Sequence, residues 1–559
     1  MQPLSGKEKG TRGSLADALV PFLLFAGIST FIAYPVFCLV QSSFFENGRF
    51  SLALYENLIK NNRALLWNSI FTATLSSLLA TILSVGIAAR IAATQGRFRN
   101  ILMLILLVTM VSPPFVSSLA YIQLFGRQGW ITRHLLNLSL NPYNWRGVVI
   151  LQTVSFAPMN ILFLLGMIEK VDDDLLQAAR NLGASASQAL RDVMLPLIRP
   201  GILACLLLSF IRALADFGTP IVIGGRFDTV ASEIYMQVIG YARLGEASAL
   251  NMLIFLPAGF LFVCYRRLMR RSGLLLASGG KSVVANRSLQ LEGTSAVVAN
   301  LFSATFFLMM LLQYGCIFAG GFLKSIRGKY FFTWEHLERL LAYDVDSLTR
   351  SVIYAVIVAL SGTLFSMLFA YYTERRGIPG RNLLDFVATM PNMIPGTCFG
   401  IGYILAFNSP PLKLTGTAAI VILNMLFRQL PNTTKICSAS LSQIPFSLEE
   451  AARNLGAGKI RVVWDIVLPN LNRAFFSGFA YNFTSAMTTA GAILFLIHPR
   501  RKIAVFRLFD AINTGEYGIA SLIATLIIVV ALAVNLLLMR LTGDSRKNAA
   551  SASNFGRAD

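Results

Sequence analysis

Apolar residues fall along this 559-residue chain in long runs separated by short polar stretches. Runs of about 20 such residues match the length needed to cross a hydrocarbon core about 30 Å thick. Twelve are expected to span: 18–42, 67–93, 101–125, 147–168, 201–224, 249–265, 297–322, 350–372, 383–407, 416–436, 474–497 and 518–540. All should be helical, because lipid leaves an open sheet edge unsatisfied. The first follows a basic stretch (Lys7, Lys9, Arg12) but is long and has no small-x-small cleavage site, so it reads as a retained span. The fold class is therefore an all-α polytopic membrane protein.

The polar stretches between the runs repeat. LLQAARNLGA starts at Leu175 and LEEAARNLGA at Leu448, with AARNLGA identical in both. At a constant offset of 273, Pro158 meets Pro431, Gly183 meets Gly456, Asp192 meets Asp465 and Pro196 meets Pro469. Upstream, an offset of 282 aligns Ser69 with Ser351, Thr81 with Thr363 and Asn100 with Asn382. Six spans lie between the two loops, an even number, so this is a parallel duplication whose halves are related about an axis along the membrane normal. The expected divisions are a first half at 1–268 with its loop at 170–200, a linker at 269–296, and a second half at 297–559 with its loop at 437–473.

Each loop reads as a short docking helix. Asp174 with Gln177, and Ser447 with Glu450, have the spacing of a capping box. Gly183 and Gly456 stand where a left-handed residue would end the helix. Between them, Ala178-Ala179 and Ala451-Ala452 offer a face for close approach. About two turns of helix are unstable alone in water, so the segment must dock on something. Pro196 and Pro469 are expected to break the chain before the next span.

Only 13% of residues are charged, mean hydropathy is +0.63, and the formal net charge is +21. That charge could suggest nucleic acid, but its positions exclude it. Alternating spans put Lys7–Arg12, Arg90–Arg99, Arg266–Arg287, Arg375–Arg381 and Arg540–Lys547 on one side, the positive-inside pattern. Both termini and both AARNLGA loops are then cytoplasmic. The loop containing Arg500, Arg501, Lys502 and Arg507 dissents, landing outside unless it packs on the protein.

The second copy, Glu450-Ala451-Ala452-x3-Gly456 ending Ile466-Val467-Leu468-Pro469, resembles the EAA loop of permease subunits in bacterial binding-protein-dependent ABC importers. The first departs at one position, with Gln177 for the acid, and ends Val193-Met194-Leu195-Pro196. Each half is similar to one permease domain, and the chain around ADFGTPIVIGG resembles the fused ferric-iron permeases and their phosphonate and sugar-phosphate relatives, with thiamine, polyamine and sulfate permeases more distantly similar. The resemblance implies the type I importer fold in a bacterial inner membrane. It implies that Gln177, Ala178, Ala179, Gly183, Pro196, Glu450, Ala451, Ala452, Gly456 and Pro469 contact two copies of an ATP-binding subunit. A periplasmic or lipid-anchored binding protein and membrane lipid complete its partners.

Neither an enzyme nor a metal site is expected. Gly279-Gly280-Lys281-Ser282 lacks the glycine of a phosphate loop, position 275 being Leu, so ATP and magnesium belong to the partner. The six cysteines and three histidines are dispersed. Ionisable groups inside spans mark a candidate translocation path: Arg212 and Asp216, four apart and able to pair, Asn424 and Arg428, and Thr489. A clamp between the halves would use the same residues. An ion-coupled secondary transporter shares the pseudo-symmetry but leaves the duplicated docking helices unexplained.

Overall fold

A computed structural model describes residues 15–46, 49–137, 141–276, 291–326, 329–376, 378 and 380–555. The Gly279–Ser282 segment and the basic residues before Leu15 lie outside them. In the first half, α1 (Leu15–Ile28) passes through a π turn at Ser29–Ala33 into α2 (Tyr34–Phe44), then a hairpin of β1 (Phe45–Glu46) and β2 (Arg49–Phe50). α3 (Ala53–Asn61), α4 (Arg63–Ala92), α5 (Gly96–Val111), α6 (Val116–Phe125) and α7 (Trp145–Ile168) lead to the first loop helix, α8 (Asp173–Asn181). α9 (Ala186–Ala189), α10 (Leu195–Leu214), α11 (Gly218–Ile223), α12 (Val230–Tyr235) and α13 (Leu244–Leu276) close the half.

The second half repeats the plan. It runs α14 (Gly293–Gly320), β3 (Leu323–Ile326), β4 (Lys329–Phe332), α15 (Glu335–Tyr343), α16 (Val345–Arg375), α17 (Arg381–Thr389), α18 (Gly396–Phe407) and α19 (Ala418–Leu441). The second loop helix, α20 (Phe446–Asn454), precedes α21 (Lys459–Val462), α22 (Leu468–Asn470), α23 (Asn472–Thr488), α24 (Ala504–Asn513) and α25 (Tyr517–Phe555). The hairpin followed by a short helix, after the first span of each half, is a repeated feature that the apolar pattern did not reveal.

Of the twelve expected spans, eight are, among the described residues, single helices long and apolar enough to cross a membrane. Expected span 101–125 is α5 and α6, bent by 106°. Pro113 and Pro114 sit at the corner, and Ser112 before them is extended, as the residue ahead of a proline prefers. Span 383–407 is likewise divided at Pro391 and Pro395, leaving α18 with 12 residues, about 18 Å of rise. α19 is interrupted by polar side chains, and α23 is only 17 residues long. α10 stops at Leu214 and α23 at Thr488, short of the expected ends at 224 and 497.

Pro196 does not break the chain as expected. Ala186 to Leu214 is one 29-residue helix, carried past Pro196 by a π turn at Leu190–Met194. Val463–Val467 makes the same turn before Pro469, but there the helix ends at Asn470 as expected, and Leu471 separates it from α23. A proline removes one ladder donor and crowds the preceding carbonyl, and the wider turn relieves both.

The halves exchange their first helices. α2 packs on α18, and Phe31 in the π turn stacks on Phe427 of α19 at 5.0 Å between ring centres. The Tyr403 hydroxyl donates to the Phe31 carbonyl at 2.7 Å. In return α14 lies against α4 and α6, with Tyr314 bonded to Ser112 at 2.8 Å and Gln313 to Ser117 at 3.1 Å. These crossed arms tie the halves together without closing the space between them.

α14 starts beside the first loop, Ser187 Oγ donating to the Glu292 carbonyl at 3.1 Å, and ends at its hairpin. α16 starts at that hairpin end and finishes at Arg375, beside α20. The two loop helices therefore share one end of the molecule. The dissenting basic loop lies at the other end and is packed on the protein: Arg507 pairs with Asp344 at 2.7 Å and Glu516 at 2.9 Å, and Lys502 pairs with Asp510.

Candidate functional site

The repeated loop helices end alike and begin differently. Neither has the expected capping box. α8 is capped two residues earlier, where the Asp172 carboxylate accepts from the Asp174 amide at 3.1 Å, and α20 follows Pro445 with no side-chain cap. A capping box does form at Ser185 and Gln188, where the next helix starts. Both glycines are left-handed as expected, Gly183 at φ +91° and Gly456 at φ +88°. Each closes a double-bonded terminus: Gly183 N–H donates to the Arg180 carbonyl and Ala184 N–H to the Ala179 carbonyl, at 2.9 and 3.1 Å. Gly456 and Ala457 repeat the pattern on Arg453 and Ala452.

This terminus turns one side chain outward in each copy. Leu182 and the equivalent Leu455 are both 89% exposed. The EAA-loop pattern does not single them out, yet the signal was present, since both lie inside the identical AARNLGA. Gln177, Ala178, Gly183 and Pro196 are exposed, as are Glu450, Ala451, Gly456 and Pro469. Ala179 and Ala452 instead turn half-buried toward the body, because adjacent helical positions diverge by about 100°. The Ala-Ala pair is thus divided between the outer and inner faces.

The inner faces are anchored by different chemistry. Leu176 enters the core at 5% exposure, and Arg180 reaches Glu292 before α14 at 3.8 Å. The residue equivalent to Leu176 is Glu449, fully buried. Its carboxylate accepts from the Tyr371 hydroxyl at 3.2 Å and faces Arg375 at 3.9 Å and Arg453 at 4.0 Å. Arg375 also donates to the carbonyls of Leu441 at 2.8 Å and Ile444 at 2.6 Å, and lies over the Phe446 ring. One guanidinium thereby joins the end of α16, the end of α19 and the start of α20. Sequence reading missed Glu449 because the neighbouring Glu450 fills the motif.

The interior residues are arranged otherwise than expected. Arg212 and Asp216 do not pair: α10 ends between them, and Asp216 accepts from Gln152 at 3.1 Å and from the Thr219 amide at 3.2 Å, capping α11. Arg428 donates to the carbonyls of Pro391 and Ile394 at 2.7 and 2.6 Å and lies over Phe399. It therefore clamps the break between α17 and α18. Asn424 is fully buried with neither amide atom bonded. Thr489 ends α23, its hydroxyl turned back to the Ser485 carbonyl, while Phe217 lies against the nearby Gly491.

Comparison with known proteins gives this architecture a family. The profile described as binding-protein-dependent transport system inner membrane component matches twice, at residues 81–272 and 362–543. The chain belongs to this family. The permease is 30% identical over 550 residues to the ferric transport system permease protein FbpB of Actinobacillus pleuropneumoniae, covering 95% of this chain and 79% of that one. A Haemophilus influenzae protein carrying the same ferric-transport designation is 30% identical over 504 residues, covering 88% and 79%. The molybdenum transport system permease protein ModB of Mycobacterium bovis is 31% identical over 195 residues, 34% of this chain and 73% of that one. The permease is thus a multi-pass inner-membrane transport component built from two fused copies of one domain.

Proposed function

We propose that this permease is the membrane-spanning part of an ATP-driven importer, with α8 and α20 as coupling helices seated in two ATP-binding subunits. The observation that carries the reading is the matched pair of projecting leucines, Leu182 and Leu455. Each is held outward by a left-handed glycine at the same end of the molecule. A leucine so exposed in both copies of a repeat fits a partner pocket. Hydrolysis resides in those subunits, and their closure rocks the halves between outward- and inward-open states. The end bearing α8 and α20 is cytoplasmic, by its basic residues, and a binding protein delivers cargo to the hairpin end. Ferric iron is the proposed cargo, after the names of the two long relatives.

The test is capture of an ATP-binding subunit by the full-length chain in detergent or nanodiscs. Wild type should retain two copies. Leu182→Arg and Leu455→Arg should each lose one copy and together lose both, with the helical spectrum unchanged. Retention by the double variant, or no capture by wild type from cells expressing an importer ATP-binding subunit of its own organism, would refute the assignment.

A further inference from the structure

α19 carries Asn424, Arg428, Asn432 and Lys435 at spacings of four, four and three, so all four lie on one helical face. Asn424 is sealed in, Arg428 and Asn432 are half-buried, and Lys435 is exposed. Tyr481 of α23 meets this face: its hydroxyl accepts from Asn432 Nδ2 at 2.7 Å and donates to Gln429 Oε1 at 3.1 Å. Asn432 also bonds Asn392, at the break between α17 and α18, at 3.1 Å.

The first half brings Arg212 to the same place. Its guanidinium interacts electrostatically with Tyr481 across the junction and with Tyr265 of α13, while Arg428 acts on Tyr481 from the other side. Arg212, among the described residues, has no hydrogen bond and no ion pair. A cavity of about 210 Å³ opens between the halves, lined by Tyr265 and Arg266 from one and by Glu374, Asp385, Thr434 and Lys435 from the other. Of the acids nearby, Asp216 caps α11 and Asp385 pairs with Arg266 at 3.5 Å, while Glu374 lines the cavity unpaired.

The junction therefore offers guanidinium, ammonium, amide and phenol donors, and Glu374 is the one unpaired carboxylate among the described residues that line its cavity. A guanidinium is expensive to keep inside a membrane protein without a partner, and its fork suits a carboxylate or phosphate oxygen pair. A multivalent cation entering alone meets like charge in a low dielectric, where repulsion is strong. We propose that this junction passes anions. The cargo crosses with net negative charge, recognised by Arg212, so that iron is carried only as an anionic oxyanion or carboxylate complex. This deepens the importer reading and rests on it.

The test uses the full chain reconstituted with its ATP-binding subunit and binding protein in liposomes, offered radiolabelled iron with radiolabelled citrate or phosphate, and each anion without iron. An anion label should enter, with iron in fixed ratio or alone, and the arm that enters identifies the source of the negative charge. Arg212→Gln should lower uptake by roughly tenfold or more, the worth of one charged hydrogen bond. Arg212→Lys should keep most of it and Arg212→Glu none, while stimulated ATP hydrolysis persists in all three. Iron entering with neither anion, or Arg212→Glu transporting as well as wild type, overturns the proposal. Wild-type uptake that ignores ATP would instead overturn the importer reading, and the same flux in the Arg212 variants still tests the charge.

Discussion

Replacing Glu449 with leucine, the residue that its own repeat carries at position 176, tests whether the buried carboxylate fixes the second coupling helix. The side chains of Glu449 and Arg375 are 1% and 13% exposed, and that of Arg453 is 30%. Removing one partner of a buried ion pair costs about 3–5 kcal/mol, because the remaining charge stays desolvated. Two features reduce that figure here. The N···O separations of 3.9 and 4.0 Å are long, and Arg375 keeps its bonds to the Leu441 and Ile444 carbonyls. Loss of the Tyr371 bond adds to the cost, since a hydrogen bond to a charged group contributes about 1.5–3 kcal/mol. A local destabilisation of about 2–3 kcal/mol follows, and Glu449→Gln, which keeps an acceptor for Tyr371, should cost about half as much.

The cost falls on α20 rather than on the whole fold, because local opening draws only on the contacts of the segment that opens. At 1.4 kcal/mol per factor of ten, hydrogen exchange across 446–457 should accelerate by roughly 30–150-fold in Glu449→Leu. The peptide spanning 173–184, anchored by Leu176 and Arg180, should exchange as in wild type. Exchange unchanged at 446–457, or raised equally in both helices, would refute the claim that the two are anchored by different chemistry. In the assembled transporter the same variant should spend more ATP per cargo molecule moved.

Three further outcomes are expected. Gly183→Val and Gly456→Val meet nothing within 4 Å of the new Cβ, so the cost of about 1–2 kcal/mol each is conformational; Asn, which tolerates the left-handed region, should restore exchange protection where Val loses it. Gly402→Ala would place a Cβ 2.6 Å from the Pro35 carbonyl, so it should loosen the crossed arm of α2 and lower the thermal midpoint in detergent, and an unchanged midpoint would count against that packing. At the hairpin end the hydrogen bond from Lys324 holds the Glu335 carboxyl below its ordinary range. A lowered folded-state pKa stabilises above the ordinary carboxylate range and is lost as pH falls through the folded value. Exchange at 323–335 should therefore rise on acidification in wild type and show no such step in Glu335→Gln.

Why some of this was legible in sequence and some not follows from what each feature depends on. Apolar run length is a one-dimensional property, and it located eight single-helix spans among the described residues. The left-handed glycines were equally legible, because the need for φ near +90° at a helix end is local. The breaks in expected spans 101–125 and 383–407 were written in Pro113, Pro114, Pro391 and Pro395, but average hydropathy runs straight through them. The opposite error arose at Pro196, where an adjacent π turn, set by how the helix packs, kept the helix whole.

Spacing also suggested an Arg212–Asp216 pair, which requires helix through both residues, and α10 ends after Leu214. That unmade pair matters most for function. Asp216 is spent on capping α11, and Arg212 is left to face Tyr481 of the other half with its charge uncompensated. A clamp between the halves would have consumed both charges. Arg428, bonded to Pro391 and Ile394, is such a clamp within the second half. The two arginines, alike in sequence as rare intramembrane cations, thus separate once their partners are known: one braces a broken helix, and the other has no bonded partner among the described residues.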